Sequence, residues 1–338
     1  MNQEIFKRIL VVGPAWIGDM VMAQSLFITL KRRFPDAEID VLAPPWSRPL
    51  LARMPEVNTA VTIPLEHGQF GFGVRKRLGR ALWGRYDQAI VTPRSWKSAL
   101  LPLFAGIPVR TGYRGELRYL LINDMRRLDK KILSQTVQRY VALGLAKGAK
   151  LPPEIPQPKL QVNRDNQARL RVALGLNLDR SVVAMMPGAE YGTAKRWPLD
   201  RYGELAKRLI AAGRQVWVIG SAKEQALGDV IARSAGPLVT NLCGSTKLGD
   251  SVDLLALAQC AVTNDSGLMH IAAAVGIKVV AIYGSSSPAY TPPLTDKAEV
   301  VYLKLECSPC FQRECPLGHM NCLNQIAVDD VQRRVTAN

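Results

Sequence analysis

Three strand-to-helix junctions in this 338-residue chain gather the residue types that handle a proton or a phosphate group. In the first, Gly13-Pro14-Ala15-Trp16-Ile17-Gly18-Asp19 follows an apolar run and leads into a long amphipathic segment, which puts Asp19 at a helix start. A helix N-terminus favours the carboxylate, which can accept a proton, although as a weaker base. The two glycines would let backbone approach a ligand, and Trp16 reads as exposed; the plainer alternative is an Asp that only caps the helix. The second junction is Pro187-Gly188-Ala189-Glu190-Tyr191-Gly192, followed by Lys195-Arg196-Trp197-Pro198, with Pro198 suited to a first helical turn. Glycines beside two cations form a plausible diphosphate cradle, because backbone donors and positive charge both oppose the phosphate charge. A solvated Lys-Arg pair is the alternative. The third junction, Thr263-Asn264-Asp265-Ser266-Gly267-Leu268-Met269-His270, repeats the pattern. Asp265 could hold sugar hydroxyls and the amides of Ser266, Gly267 and Leu268 could face phosphate oxygens, unless Asp265 is again a cap and His270 packs in the core. Glu224, just after a strand ending at Ile219 and Gly220, stands where an acidic side chain binds ribose hydroxyls, or is an exposed helical Glu.

The elements needed to position these residues are legible as alternation. Strands are expected at Ile9–Val12, Ile39–Leu42, Ala60–Ile63 and Ala89–Val91, with helices at Met20–Phe34, Ser47–Met54, Val74–Trp83 and Ser95–Phe104. The stretch Leu151–Leu160 holds Pro152, Pro153, Pro156 and Pro158, which break helices and stiffen extended chain, so a linker is expected there. The alternation then restarts, with strands at Val182–Met186, Gln215–Ile219, Ala261–Thr263 and Val279–Tyr283 and helices at Leu199–Ala212, Ala222–Ala235, Ser251–Cys260 and Leu268–Val275. This ordering predicts an α/β chain of two Rossmann-like domains with parallel sheets, residues 1–155 and 156–338, facing each other across a cleft.

Composition narrows the partner. The 44 Lys and Arg against 28 Asp and Glu give +16, but residues 1–160 carry 25 basic and 12 acidic side chains (+13) whereas residues 161–338 carry 19 and 16 (+3). Nucleic acid, an anionic membrane surface and a phosphorylated substrate all fit that asymmetry. Basic residues cluster at Arg75-Lys76-Arg77, Arg80 and Arg85, from Arg110 to Arg118 and at Arg126-Arg127 with Lys130-Lys131. Each alone reads as a solvated face; together, interleaved with Phe70, Phe72, Trp83, Tyr113 and Tyr119, they could hold a large anionic substrate at a membrane. The apolar stretches Ser98–Val109 and Ile271–Ile282 are short of the roughly 18 residues a span requires, and Met1–Val12 lacks a signal-peptide core, so a cytoplasmic protein is expected. No Asp-x-Asp pair, Walker Gly-Lys-Ser or Gly-x-Gly-x-x-Gly occurs, which disfavours magnesium-held diphosphate, P-loop chemistry and nicotinamide binding. His67, His270 and His319 lie far apart and form no paired metal motif. Cys307, Cys310, Cys315 and Cys322, with His319 among them, depart from the paired spacing of common zinc ribbons; a structural metal, reduced thiols and a redox pair all remain open, while Cys243 and Cys260 read as core.

Taken together, Gly13–Met20 with Ala23-Gln24-Ser25-Leu26, Ala43-Pro44, Arg53-Met54-Pro55-Glu56-Val57, Phe104-Ala105-Gly106-Ile107-Pro108 with Arg110-Thr111-Gly112, Pro187-Gly188-Ala189-Glu190 with Ala194–Pro198, and Thr263–His270 resemble the lipopolysaccharide heptosyltransferases, from about residue 9 to about residue 295. The resemblance implies a glycosyltransferase-B fold with acceptor bound mainly by the first domain and ADP-L-glycero-β-D-manno-heptose mainly by the second. It implies inverting, metal-independent transfer, with no cofactor, to the first heptose of the lipopolysaccharide inner core on heptosyl-Kdo2-lipid A, at the inner face of the inner membrane and without nucleic acid. A sibling acting on another core position or polysaccharide is the alternative. By position, the resemblance makes Asp19 the general base, with Trp16, Gly18, Arg114 and Arg118 toward the acceptor. Lys195 would face the diphosphate as a catalytic group, with Arg196 nearby. Glu224 would meet the ribose, Asp265 the donor sugar, Ser266, Gly267 and Leu268 the phosphates, and His270 the edge of that site. Glu190 and Tyr191 stand where related enzymes carry small hydroxyl residues, also on the donor side. The cysteine cluster lies outside the matched motifs.

Overall fold

The computed structural model describes residues 6–65 and 68–337; His67 lies outside the described residues. The chain divides into two units, Met1–Pro158 and Lys159–Asn338, so the division falls within the proline-rich stretch, slightly past the expected residue 155. On one side of it the Pro156 carbonyl accepts the Ser25 hydroxyl at 2.6 Å. On the other, the Leu160 amide donates to Ala274 O at 3.0 Å.

In the first unit the order is β1 (Arg8–Val12), α1 (Ile17–Arg33), β2 (Glu38–Ala43), α2 (Arg48–Leu51), β3 (Thr59–Thr62), α3 (Phe72–Ala81), β4 (Gln88–Val91), α4 (Leu100–Phe104), β5 (Val109–Tyr113), β6 (Asp124–Arg126) and α5 (Thr136–Gly144). The second unit runs α6 (Arg164–Ala173), β7 (Val182–Met186), α7 (Leu199–Ala211), β8 (Gln215–Val218), α8 (Gln225–Ala235), β9 (Val239–Asn241), α9 (Leu248–Leu255), β10 (Cys260–Asn264), α10 (Gly267–Ala274), β11 (Lys278–Ile282), β12 (Ala298–Val301), α11 (Asn321–Asn324) and α12 (Val328–Thr336). Short 3-10 turns at Pro45–Ser47 and Trp96–Ala99 take part of two expected helices.

Each unit is built on a six-stranded sheet, ordered β3-β2-β1-β4-β5-β6 and β12-β11-β10-β7-β8-β9, and every pairing is parallel. Both orders are the doubly wound pattern, in which the direction of strand addition reverses once. The reversal lies between β1 and β4 in the first unit and between β7 and β10 in the second. Central strands such as β4, β7, β8 and β10 are buried along their whole length, which is why they read as apolar runs with polar residues only at their ends. Side chains from β7, β8, β10 and β11 pack against α7 and α12 residues such as Tyr202, Leu205, Leu209 and Val331. In the first unit Leu10, Val12, Ala89 and Val91 pack with Leu101, Ala105 and Ile107.

The register sets the carboxyl edges level where it matters. Val12 pairs with Val91 and Thr263 pairs with Met186, so the junctions leaving β7 and β10 emerge side by side. The elements missed from sequence are β5, β6, β9, β12 and the helices α5, α6, α11 and α12; the edge strands β6, β9 and β12 are short and partly exposed.

Candidate functional site

The second unit gathers its predicted residues at the reversal point. Asn264, the last residue of β10, is fully buried and ties the two junctions together. Its Nδ2 donates to Pro187 O at 2.7 Å, while its Oδ1 accepts the Trp197 amide at 3.0 Å and the Tyr202 hydroxyl at 3.2 Å. With the junctions locked, Lys195 Nζ lies 2.6 Å from Asp265 Oδ2, and their side chains are only 17% and 6% exposed. A largely buried ion pair is retained only where geometry is good and remaining hydrogen-bonding capacity is met, which makes this pair a fixed feature of the cradle. Lys195 also stands 5.0 Å from the centre of the Tyr191 ring, whose hydroxyl donates to Phe311 O at 2.7 Å. Arg196 donates to Ala189 O at 3.2 Å and keeps a buried Nε without a partner among the described residues.

Asp265 is not a helix cap. Ser266 takes that place, in extended backbone with no capping hydrogen bond from its side chain, so the first N–H groups of α10 are not met by a cap. Gly267 and Leu268 open the helix beside the buried Asp265–Lys195 pair. Uncapped N–H groups and the helix dipole together favour an anion there. His270 is the core residue that the plainer reading allowed. Burial pushes its imidazole down to about 4, with the Asp265 carboxylate opposing the shift and Lys195 adding to it, so it is neutral near pH 7.

Glu224 comes to the same edge from the 3-10 turn after β8. Its Oε2 accepts the Ser221 amide at 2.6 Å and the Ser221 hydroxyl at 2.9 Å. Its Oε1 lies against Gly188, where an added Cβ would come within 1.3 Å of it. Gly188 therefore carries no side chain so that this carboxylate can lie over the end of β7. Glu190, in contrast, turns outward to Lys223 at 3.1 Å, with both side chains mostly exposed, a pair worth little. Pro198 sits just before α7 rather than inside its first turn.

In the first unit Asp19 lies in the first turn of α1, which starts after Trp16 with no side-chain cap. The Asp19 carboxylate accepts the Tyr140 hydroxyl of α5 at 3.2 Å. Trp16 is 40% exposed and Gly18 is half-buried. The first glycine of the junction serves packing instead of ligand approach, since a Cβ on Gly13 would meet Met20 Cε at 2.8 Å and Val41 Cγ1 at 3.1 Å.

Two basic expectations are corrected by burial. Arg118 is 1% exposed and its guanidinium donates to Tyr113 O at 2.6 and 3.0 Å and to Pro93 O at 2.7 Å, so it braces a loop and is not offered to an acceptor. Burial pushes it down to about 10, with Arg94 adding to the shift and Glu116 opposing it. Arg75 and Arg110 likewise spend donors on the carbonyls of Phe70, Leu121 and Ile107, and Tyr113 is core. Arg114 remains on the surface, its Nε donating to the Tyr119 hydroxyl at 3.0 Å. The sequence reading passed over Arg94, exposed in the junction that leaves β4 on the other side of the first reversal point. Its signal was present, because Ala89–Val91 followed by Thr92-Pro93-Arg94-Ser95 has the same strand-end pattern as the three junctions chosen. Tyr140 carried no such signal, being far along the chain from Asp19.

The arrangement can therefore hold an anion at the second unit and present a carboxylate at the first. Comparison with known proteins agrees in kind. The chain is 50% identical over 306 residues to lipopolysaccharide heptosyltransferase 2 of Escherichia coli (strain K12), covering 88% of each chain. It is 48% identical over 309 residues to lipooligosaccharide heptosyltransferase 2 of Haemophilus influenzae, again covering 88% of each. The solved structure of E. coli ADP-heptose lps heptosyltransferase II superimposes with a TM-score of 0.86 at 45% identity, covering 97% of both chains, which places this fold in the glycosyltransferase-B class. Residues 75–321 match the model of glycosyltransferase family 9 (heptosyltransferase), and with relatives this similar over most of its length the chain belongs to that family.

Proposed function

We propose that the protein transfers L-glycero-D-manno-heptose from ADP-heptose to the first heptose of the lipopolysaccharide inner core. The observation that carries the donor half is the buried Lys195–Asp265 pair beside the uncapped N-terminus of α10. A diphosphate seated there meets Lys195, Arg196 and the amides of Gly267 and Leu268, and Glu224 Oε1 faces the ribose. The sugar hydroxyls meet Asp265, with Tyr191 flanking Lys195. The acceptor half rests on Asp19, with Trp16 and Gly18 in the same junction and Arg114 exposed just past β5; Arg118 is left out because its donors are occupied internally.

The reaction is one displacement. Asp19 takes the proton from the acceptor hydroxyl as that oxygen forms a bond to the anomeric carbon; the bond from that carbon to the phosphate oxygen breaks, and ADP leaves with the electron pair. Inversion follows from attack opposite the leaving group. Lys195 and the helix terminus act on the charge that grows on the departing phosphate, which is where preorganised donors lower a barrier most.

No helix among the described residues is long and apolar enough to cross a membrane. Work at the inner face of the inner membrane is supported by exposed Trp83, Leu117 and Leu120 in the unit that also carries most of the chain's positive charge. Incubation with ADP-heptose and, separately, acceptors truncated before and after the first heptose tests the reading by product mass. Addition of one heptose only to heptosyl-Kdo2-lipid A is expected. Transfer to another core position identifies a sibling activity, and no transfer to any of them overturns the proposal.

A further inference from the structure

Between β12 and α11, residues 302–320 run without helix or strand, and three of them, Lys304, Phe311 and Met320, hold left-handed backbone that non-glycine residues seldom adopt. A stretch this long needs something other than sheet or helix to hold it. With the start of α11 it brings four of the six cysteines together: Cys307, Cys310, Cys315 and Cys322 line one cavity, with His319, Met320, Ala194 and Ser285.

One buried polar group of the lining calls for a partner inside the cavity. The Ser285 hydroxyl is 1% exposed and has no hydrogen-bond partner among the described residues. Leaving a buried hydroxyl unmatched is costly, and a sulfur atom inside the cavity would match it.

The size of the cavity, about 20 Å³, is informative as well, because it leaves room for about one atom. A single tetrahedral ion draws its thiolates to about 3.8 Å from one another, given metal–sulfur bonds of about 2.3 Å. Among the described residues no three His, Cys, Asp or Glu side chains converge on a point in that way. An ion would draw the four thiols inward around the small space that they line.

We propose that Cys307, Cys310, Cys315 and Cys322 ligate a single thiolate-bound transition-metal ion. Each thiol loses its proton to solvent as its sulfur–metal bond forms, and the metal ion is taken from outside the chain. The centre has a mechanical consequence. The same loop supports the donor junction: Arg313 O accepts the Ala194 amide at 3.0 Å, Phe311 O accepts the Tyr191 hydroxyl at 2.7 Å, and the Phe311 amide donates to Ser285 O at 2.7 Å. Gly192 packs so closely on Arg313 that an added Cβ would lie 2.2 Å from its carbonyl oxygen. A centre that fixes residues 302–320 thus also fixes Tyr191 and Ala194, next to Lys195; this second step rests on the donor reading above, and the first does not.

The test is metal and acid-labile sulfide analysis of the full chain, purified without chelator and without oxygen. One zinc or iron per chain, without acid-labile sulfide, is the expected result. Iron and sulfide in equal amounts supports the four thiolate ligands and replaces the single ion by a cluster. A protein free of metal, with four readily titrated thiols or with disulfides among them, overturns the proposal. Cys315→Ser and Cys322→Ser should lose the metal, whereas Cys243→Ser and Cys260→Ser should keep it; equal retention in all four also overturns it. Removing the metal from the intact protein should weaken ADP binding about tenfold, the scale of losing one or two anchoring hydrogen bonds. Metal present with ADP affinity unchanged on its removal separates a sound centre from a failed donor reading.

Discussion

Asp19 and Asp265 each follow a parallel strand that borders the reversal of its sheet, Asp19 in the first turn of the next helix and Asp265 directly after its strand, yet they have opposite surroundings. Asp265 is almost wholly buried and has Lys195 at 2.6 Å. Asp19 is half-buried in the first turn of α1, where the Tyr140 hydroxyl reaches it at 3.2 Å. A carboxylate held that tightly by an ammonium is poorly placed to take a proton, because protonation would leave the ammonium buried and unmatched. The chemistry of each aspartate therefore follows from its partner and not from the residue type or the turn that carries it.

Substitutions on the two sides should separate them. Asp19→Asn is expected to lower turnover by ~10² to 10⁴ with ADP affinity nearly unchanged, the range for losing a general base. Steady-state rates alongside calorimetric ADP binding would check this, and unaltered turnover would remove Asp19 from the chemistry. Lys195→Ala should act on the other half of the comparison. It leaves the Asp265 carboxylate buried without its cation, a change that costs about 3 to 5 kcal/mol where burial is complete, and it should weaken ADP binding and turnover together. Normal ADP affinity in that variant would mean that the pair is structural only.

A smaller effect follows from His270, which packs behind the Asp265–Lys195 pair. Its imidazole titrates near 4 in the folded chain against about 6.5 when unfolded, so the unfolded chain binds the extra proton between those values. Stability from this group is then intact above about pH 6.5 and falls as pH drops toward 4, by up to about 3 kcal/mol. Denaturant melts of the wild type and His270→Gln across that window should show a shallower pH slope in the variant; parallel slopes would assign the acid sensitivity to other groups. The smallest change is expected from Gly188→Ala. The new methyl would displace Glu224 Oε1 from the end of β7 and weaken ADP binding about tenfold, while the rate at saturating donor stays close to wild type. An equal loss with Glu224→Gln would tie the effect to that carboxylate.

Much of the frame was legible because it is local. Val182–Met186 is apolar along its whole length since both faces of the strand are covered, and Gly-, Pro- and Asp-containing turns mark where such strands end. The strands that escaped notice were of another kind. Asp124–Arg126 and Val239–Asn241 are three-residue edge strands with polar side chains, and only the ladder offered by a neighbour makes them strands. In the site, the junctions carrying Asp19, Lys195 and Asp265 could be read from their residues. Arg118 could not, because a run of arginines looks the same whether a side chain reaches solvent or the carbonyls of Tyr113 and Pro93.

The sequence by itself determined two α/β halves, the turns at which polar residues collect, and the uneven distribution of positive charge. Tertiary structure alone decided the strand order that brings the junctions after β7 and β10 together, the pairing of Lys195 with Asp265, the gathering of four cysteines around one cavity, and the burial of His270 and Arg118. The physical reason is range. Backbone preference and hydrophobic period act over a few residues, whereas the partner of a charge, and the water it keeps or loses, is set by segments that meet only when the chain has folded.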